Sequence, residues 1–199
     1  MPRPEPLTPL LVAELVGGIY EAALDPQLWR QFVDRIETIY PDLTVMLFSH
    51  ESADSGEGLS MVANFSEAAQ RDYAAYHFAT SPYVDFVPHN QIGLPTRSES
   101  IISDAQLFQT EHYNDFMLPH RLGRHGTGMV LEREPEGWAS LSLADSYDDA
   151  DRRDHQMALL GLLAPHLRRA FKLRRTLIEA RSTAMAPQTL FDGWPYAAF

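Results

Sequence analysis

Cysteine is absent from this sequence of 199 residues. Its absence excludes a disulfide framework, a thiol nucleophile and a thiolate metal site, and it fits a reducing compartment. Long apolar runs are also missing. The longest, residues 156–167, is shorter than the roughly 20 residues that a membrane-spanning helix needs. Glu14 interrupts the first apolar stretch, unlike in a secretory signal. We therefore predict a soluble, cytoplasmic protein without a membrane partner.

Motifs of catalysis and metal binding are lacking as well. The chain has no Gly-x-Ser-x-Gly nucleophile elbow and no glycine-rich phosphate loop. It also has no His-x3-His pair, although His112, His120 and His125 lie close together in the sequence. Asp148 and Asp149 are interpreted as charges at a helix start and not as a general acid and base. We predict no metal, no cofactor and no enzymatic activity; an enzyme or carrier with scattered site residues is an alternative.

Charge is unevenly distributed along the chain. The net charge is −11. Residues 168–181 hold six basic residues against one glutamate, a local charge of +5, which leaves −16 on the remaining residues. Because affinity for DNA comes largely from neutralising phosphates, most of this surface would repel a duplex. We predict no direct DNA binding by this chain.

Caps, hydrophobic spacing and turn residues predict the order of elements. Helices begin after Thr8, Asp25 and Ser66, another covers residues 104–118, and a long final helix contains Pro165, which should kink or divide it. The predicted strands cover residues 43–49, 59–65, 127–132 and 138–144, with turns over 51–58 and 135–137 and one short strand within the irregular segment 81–97.

This order favours an α+β fold. Two hairpins with segregated helices give an antiparallel sheet flanked by helices, with a long C-terminal helix, in the manner of PAS and GAF domains. We predict one domain over residues 1–181, and a C-terminal tail or truncated linker over residues 182–199, where the helical pattern dissolves.

Four segments together resemble the N-terminal sensor domain of LuxR-type transcription regulators. They are residues 19–29, 111–123, 138–144 and 163–170, and the last one, Leu-Ala-Pro-His-Leu-Arg-Arg-Ala, matches a Leu-x-Pro-His-Leu-x-Arg-Ala signature. The resemblance spans roughly residues 8–180. It implies a PAS- or GAF-like ligand-sensing domain without the helix-turn-helix domain of the family, because the chain stops where the linker to that domain would begin.

The resemblance implies a small-molecule ligand but does not identify it. Acyl-homoserine-lactone receptors of the wider family have an aspartate before a proline, where this chain has Ser81 before Pro82, so that ligand is not predicted. Aromatic side chains between the sheet and its covering helices are the candidate contacts for a mostly apolar molecule. They are Tyr73, Tyr76, Tyr83, Phe86, Tyr113, Phe116 and Trp138. The alternative is that the same residues form an ordinary packed core.

The hydrophobic pattern of the final helix predicts an interface between two copies of the chain. An apolar stripe with alternating spacings of four and three runs from Leu159 to Ala180, as in a coiled coil, which places Leu173 and Leu177 in a predicted homodimer interface. Alternatively, the stripe packs on its own domain, or aromatic residues of the tail cover it. The predicted function is a small-molecule-sensing regulatory domain that signals through this helix in a dimer. The main alternative is a stand-alone protein that dimerises with full-length regulators and modulates them.

Overall fold

A five-stranded antiparallel sheet lies at the centre of the fold. The computed structural model describes residues 4–51, 59–134 and 137–191, so most of both predicted hairpin turns and the end of the predicted tail lie outside the described residues. The strands are β1 (Thr44–Glu51), β2 (Leu59–Ala63), β3 (Thr96–Arg97), β4 (His125–Glu134) and β5 (Gly137–Asp145), in the spatial order β2-β1-β5-β4-β3. All four pairings are antiparallel. The predicted α+β fold with an antiparallel sheet is confirmed.

Local capping explains where the helices begin. The helices are α1 (Pro9–Leu24), α2 (Trp29–Ile39), α3 (Glu67–Asp72), α4 (Pro82–Phe86), α5 (Asp104–Leu107) and α6 (Ala150–Phe191). Thr8 Oγ1 accepts from Leu11 N at 3.2 Å and Ser66 Oγ accepts from Ala69 N at 3.1 Å, which satisfies backbone donors that have no partner within the helix. None of the described helices is both long enough and apolar enough to cross a bilayer.

Helix α6 differs from its prediction in two ways. It is one helix through Pro165, so of the two outcomes predicted there, a kink or a division, the division is wrong; and it continues past Ser182 to Phe191. Proline removes one backbone hydrogen bond and crowds the preceding turn. Leu163 and Leu167, on either side of Pro165, are completely buried in the core. This packing holds the helix together across the proline.

One face of the sheet is closed by α1, α2 and the first half of α6. Strand side chains alternate between the two faces, and Val45, Leu47 and Leu141 all point into this layer with no exposed surface. They meet Trp29 and Leu163, which are equally buried. We call this side of the sheet the helix face; it holds the main hydrophobic core.

The opposite face is covered by residues 66–124, which we call the cover segment. It contains α3, α4, α5, β3 and two π-helical turns, Tyr73–His77 and His112–Met117. In these turns Phe78 N donates to Tyr73 O at 2.8 Å and Leu118 N donates to Tyr113 O at 2.9 Å. The predicted helices over residues 66–80 and 104–118 are therefore each a short α-helix followed by a wider π turn.

Candidate functional site

A cavity lies between the sheet and the cover segment. Its interior volume is about 150 Å³, and it is partly open to solvent. Its floor is the face of the sheet opposite the helix face, and small residues make up much of this floor: Gly126, Gly128, Ser140, Ser142 and Ala144. Because these positions carry short side chains or none, the cover segment cannot fill the space above them by packing against the sheet.

Glycine is required at one position of the floor. A Cβ atom at Gly126 would lie 2.2 Å from the carbonyl oxygen of Leu143 on the neighbouring strand, far inside van der Waals contact. At Gly128 the corresponding distance to the carbonyl oxygen of Leu141 is 3.2 Å. The paired backbones of β4 and β5 therefore exclude a side chain at residue 126, and this part of the floor stays bare.

Five of the seven predicted aromatic residues line the cavity. Tyr73, Tyr83, Phe86, Phe116 and Trp138 all contribute to its wall. The Tyr73 and Phe116 rings are tilted against each other with centroids 5.4 Å apart, and Tyr73 stacks on Phe48 of β1 at 5.9 Å. Trp138 stacks on Phe78 with centroids 6.2 Å apart. The structure brings these side chains together; their contact with a ligand stays a prediction.

The other two predicted aromatic residues lie elsewhere. Tyr76 is 54% exposed, and a hydrogen bond with Glu111 raises the pKa of its phenol. Tyr113 packs against Phe108 with ring centroids 4.8 Å apart and is absent from the cavity wall. In the π turn His112–Met117 the buried residues are His112, Phe116 and Met117, and Tyr113 is not among them.

Hydroxyl groups supply polarity inside the cavity. Burial raises the pKa of Tyr73 and that of Tyr83 to about 12 each, so both phenols are neutral at pH 7. Ser81, at the start of α4, is 2% exposed and hydrogen-bonds to the Tyr73 hydroxyl. Ser81 was noted in the sequence only as the residue before Pro82, and its role as a partner of Tyr73 depends on the π turn that brings residue 73 to it.

His112 is a buried polar residue of the wall that the aromatic prediction missed. Its ring is 3% exposed and lies 5.2 Å from the Phe116 ring. Burial lowers the pKa of His112 to about 4, which makes the imidazole neutral at pH 7. The sequence placed this residue in a group of three histidines, of which His120 lies apart, with its Nε2 2.8 Å from Asp72, whereas His125 lies in the same cavity wall beside Arg124.

The part of the cavity wall at Arg124 and His125 carries paired charges. Arg124 donates through Nη2 to Asp148 at 3.3 Å and through Nε to His125 Nε2 at 2.9 Å, and its Nε is 3.9 Å from Asp104. The described wall of the cavity includes no aspartate or glutamate. Within the described part of the chain, no three metal-ligating side chains gather into a cluster. Apart from Arg124, the lining is therefore mainly apolar, with hydroxyl, amide and imidazole groups.

The stripe on α6 is divided between core and surface. Leu159, Leu163 and Ala170 have no exposed surface and belong to the core of the helix face, as the alternative of packing on its own domain requires. Leu173 is 38% exposed and Leu177 is half-buried. The two leucines predicted to form a dimer interface are thus the part of the stripe that the domain's own core does not cover completely.

Comparison with solved structures places this architecture among known folds. The ligand-binding domain of VqsR from Pseudomonas aeruginosa aligns with a TM-score of 0.59 and 20% identity, covering 82% of this chain and 96% of that domain. CepR2 from Burkholderia cenocepacia, an N-acylhomoserine-lactone-dependent LuxR-family transcription factor, aligns with a TM-score of 0.50 and 11% identity, covering 81% and 98%. The chain has the fold of a LuxR-type ligand-binding domain.

The LuxR-type fold confirms the family resemblance at the level of architecture. No protein-family model matches the chain, and no curated protein matches it in sequence. The fold accounts for the central sheet, the cover segment and the long last helix together.

Proposed function

We propose that this chain is a small-molecule-sensing regulatory domain of the LuxR type, PAS- or GAF-like in design, with residues 1–181 as the sensing domain. The observation that carries the proposal is the apolar cavity, which has aromatic walls, neutral hydroxyls and a floor of small residues. Enclosed apolar cavities with a few polar groups are the usual form of small-molecule sites. The LuxR-type fold agrees with this function and with a cytoplasmic regulator.

Contacts between the cover segment and α6 provide a route for the response. Arg153 on α6 forms an ion pair with Glu99 at 3.2 Å and with Asp148 at 3.1 Å, and Arg97 pairs with Asp154. Thr96 and Ser98, which flank Arg97, both line the cavity. A ligand that moves this stretch would shift the ion pairs at the base of α6, which is how occupancy would reach the C-terminal helix.

The far half of α6 is the proposed homodimer surface. Leu173 and Leu177 leave apolar area in water, and covering it from a second copy would contribute about 1.5–3 kcal/mol for each leucine that is fully buried. Arg175, beside them, pairs with Glu132 and with Glu134 (3.2 Å) of its own β4. This pairing offsets part of the repulsion that the basic stretch would otherwise produce across a dimer.

The presence of a ligand is tested by native mass spectrometry of the purified protein. We expect a mass above that of the chain under native conditions, and the chain mass alone after denaturation, because a molecule bound to an apolar cavity during expression would be released on unfolding. The released molecule would be identified by its own mass. A protein that carries nothing, and gains no thermal stability from any compound of a metabolite extract, would contradict the proposal.

The dimer is tested by sedimentation of a Leu173→Glu/Leu177→Glu variant. We expect the parent to sediment as a dimer and the variant as a monomer, because two buried carboxylates would be unpaired in the interface. Leu162→Glu is the matched control, since Leu162 is 48% exposed on the same helix but outside the stripe. Equal sedimentation of the double variant and the parent would exclude this helix as the interface.

A further inference from the structure

A second pocket adjoins the cavity where the cover segment meets β4 and the end of β5. We call it the outer pocket. Its interior volume is about 360 Å³, against about 150 Å³ for the cavity, and it is also partly open to solvent. The two spaces share a strip of lining residues: Met117, Leu122, Gly123, Arg124 and His125. They therefore lie side by side, and one molecule that passes this strip would occupy both.

The cavity itself has room for about one aromatic ring. An engineered apolar cavity of about 150 Å³ holds one benzene molecule, and this cavity has the same volume. Its surfaces suit a flat ring, because Tyr73 and Phe116 line it with centroids 5.4 Å apart and the floor has no side chain at Gly126 and Gly128. A larger ligand must place its remaining part outside the cavity.

The outer pocket offers hydrogen-bond donors that have no partner in the described chain. Tyr113 and Ser146 line it, and their hydroxyl groups bond to none of the residues that the structure describes. Arg121 lines it as well; its side chain is exposed and forms no ion pair with any described carboxylate. Unpartnered donors favour a ligand group that is rich in acceptor oxygens.

The charge of the outer pocket favours an anion. Its lining contains two arginines, Arg121 and Arg124, and one carboxylate, Asp148. Asp148 accepts from Arg124 at 3.3 Å and from Arg153 of α6 at 3.1 Å, so its charge is offset within the protein. The charge of Arg121 is left for a ligand, and an anionic oxygen group would form a charge-assisted hydrogen bond with it.

The backbone at Arg121 allows this side chain to be removed cleanly. Its φ is 55°, in the left-handed region, and the turn is closed by Arg121 N, which donates to Leu118 O at 3.2 Å, and by Leu122 N, which donates to Met117 O at 2.9 Å. Glycine adopts this conformation more readily than arginine does. An Arg121→Gly variant is therefore expected to keep the turn and lose only the guanidinium.

We propose that the ligand has one aromatic ring, which lies in the cavity, and an anionic arm, such as a carboxylate, which binds Arg121, Tyr113 and Ser146 in the outer pocket. This inference rests on the proposed function, since it names the ligand class of the same cavity. Arg121 is then the residue that determines specificity for the charge of the arm. The volume of the cavity determines specificity for a single ring.

The test compares three probes by calorimetric titration of the full chain at pH 7. They are 3-phenylpropionate, which is anionic, 3-phenylpropionamide, its neutral isostere, and 3-(2-naphthyl)propionate, which is anionic but has two fused rings. We expect 3-phenylpropionate to bind about fivefold more tightly than the amide, as for one solvent-exposed ion pair. The naphthyl probe should bind at least about tenfold more weakly than 3-phenylpropionate, because its second ring overfills the cavity.

Variants assign the two parts of the ligand to the two spaces. Arg121→Gly should bring the ratio of the carboxylate and amide affinities close to one, and Arg121→Lys, which keeps the charge, should retain most of it. Ser142→Val, in the floor of the cavity, should weaken both probes by the same factor. Arg71→Ala is the matched control: Arg71 is a 72% exposed arginine of the cover segment outside both linings, and the fivefold ratio should persist.

The outcomes separate this inference from the proposed function. Equal binding of 3-phenylpropionate and its amide by the parent chain overturns the inference and leaves the cavity as a site, as does equal or tighter binding of the naphthyl probe. A fivefold preference that survives in Arg121→Gly also overturns it. Failure of the parent chain to bind any of the three probes overturns it too, and if the chain also carries no ligand in native mass spectrometry, the proposed function itself fails.

Discussion

The two faces of the sheet are built from the same strands but differ in their side chains: the helix face carries large apolar residues, and the cavity face carries many small ones. On β5, Leu141 and Leu143 point to the helix face and are buried completely or nearly so, whereas Ser140 and Ser142 point to the cavity. On β4, Leu131 packs in the core while Gly128 lies in the floor. Neighbouring residues along a strand thus serve stability and binding in turn. Because side chains alternate with a period of two, a substitution on one face can change binding while stability is kept, or the reverse.

The largest difference between the faces is expected from a pair of adjacent truncations. Leu141→Ala should lower the free energy of unfolding by about 2–5 kcal/mol, because it leaves a cavity in a filled core. Ser142→Ala, one residue along, removes one hydroxyl beside an existing space and should change it by less than about 0.5 kcal/mol. Urea unfolding of the two variants measures both values. Similar losses would show that the cavity face is as closely packed as the helix face.

The pH dependence of stability should report His112 on the cavity face. Its pKa is about 4 in the folded chain and ~6.5 when unfolded, so the unfolded state takes up a proton first as the pH falls. Stability from this residue is complete above pH 6.5 and is lost progressively down to pH 4. Between pH 7 and pH 5 we expect a loss of about 2 kcal/mol in urea unfolding.

This loss of stability can be assigned to His112 by comparison with a second histidine, His155. His155, which bonds to the Tyr40 hydroxyl at 2.6 Å beside the helix face, also has a lowered pKa because it is partly buried. It is unchanged in His112→Phe, so whatever pH dependence it causes remains in that variant. The difference between parent and variant should therefore be the loss from His112 alone. Identical pH profiles would show that the buried imidazole does not resist protonation.

Filling the floor is expected to affect ligand binding more than stability. Ser142→Val adds volume where Gly128 and Met46 are the cross-strand neighbours, and valine suits a strand. We expect the free energy of unfolding to change by less than about 1 kcal/mol in either direction, while ligand retention in native mass spectrometry falls. A stable variant that keeps its ligand would place the ligand away from this part of the floor.

The elements that the sequence predicts well are those determined locally. Thr8 and Ser66 cap the helices they were expected to cap, and β4 and β5 lie within about two residues of their predicted ends, because caps and alternation depend on near neighbours. The π turns were not predicted, since hydrogen bonds from residue i to i+5 leave no residue pattern of their own. The sequence left open whether Pro165 kinks or divides α6, because the continuity of the helix depends on the packing of Leu163 and Leu167 in the core.

The sequence predicted most of the aromatic residues of the candidate site and missed its polar residues. The tyrosines, Phe86, Phe116 and Trp138 stand out as large rings in the covering segments, and five of the seven line the cavity. The floor was not predicted because its residues have small side chains or none. A glycine or serine in a strand does not indicate what lies opposite it. His112 was weighed as a metal ligand and not as a wall residue, because its burial depends on the π turn.

The order of the strands determines when this domain can fold. The central pair joins β1 to β5, so Thr44 lies opposite Ala144, 100 residues later in the chain. The whole cover segment is looped out between them, and closing so long a loop must precede the contacts that compensate its entropy. During synthesis β1 and β2 therefore leave the ribosome after α1 and α2 but without β5, their central neighbour in the sheet. Only when β5 and the first turns of α6 have followed can the sheet close and the cavity exist.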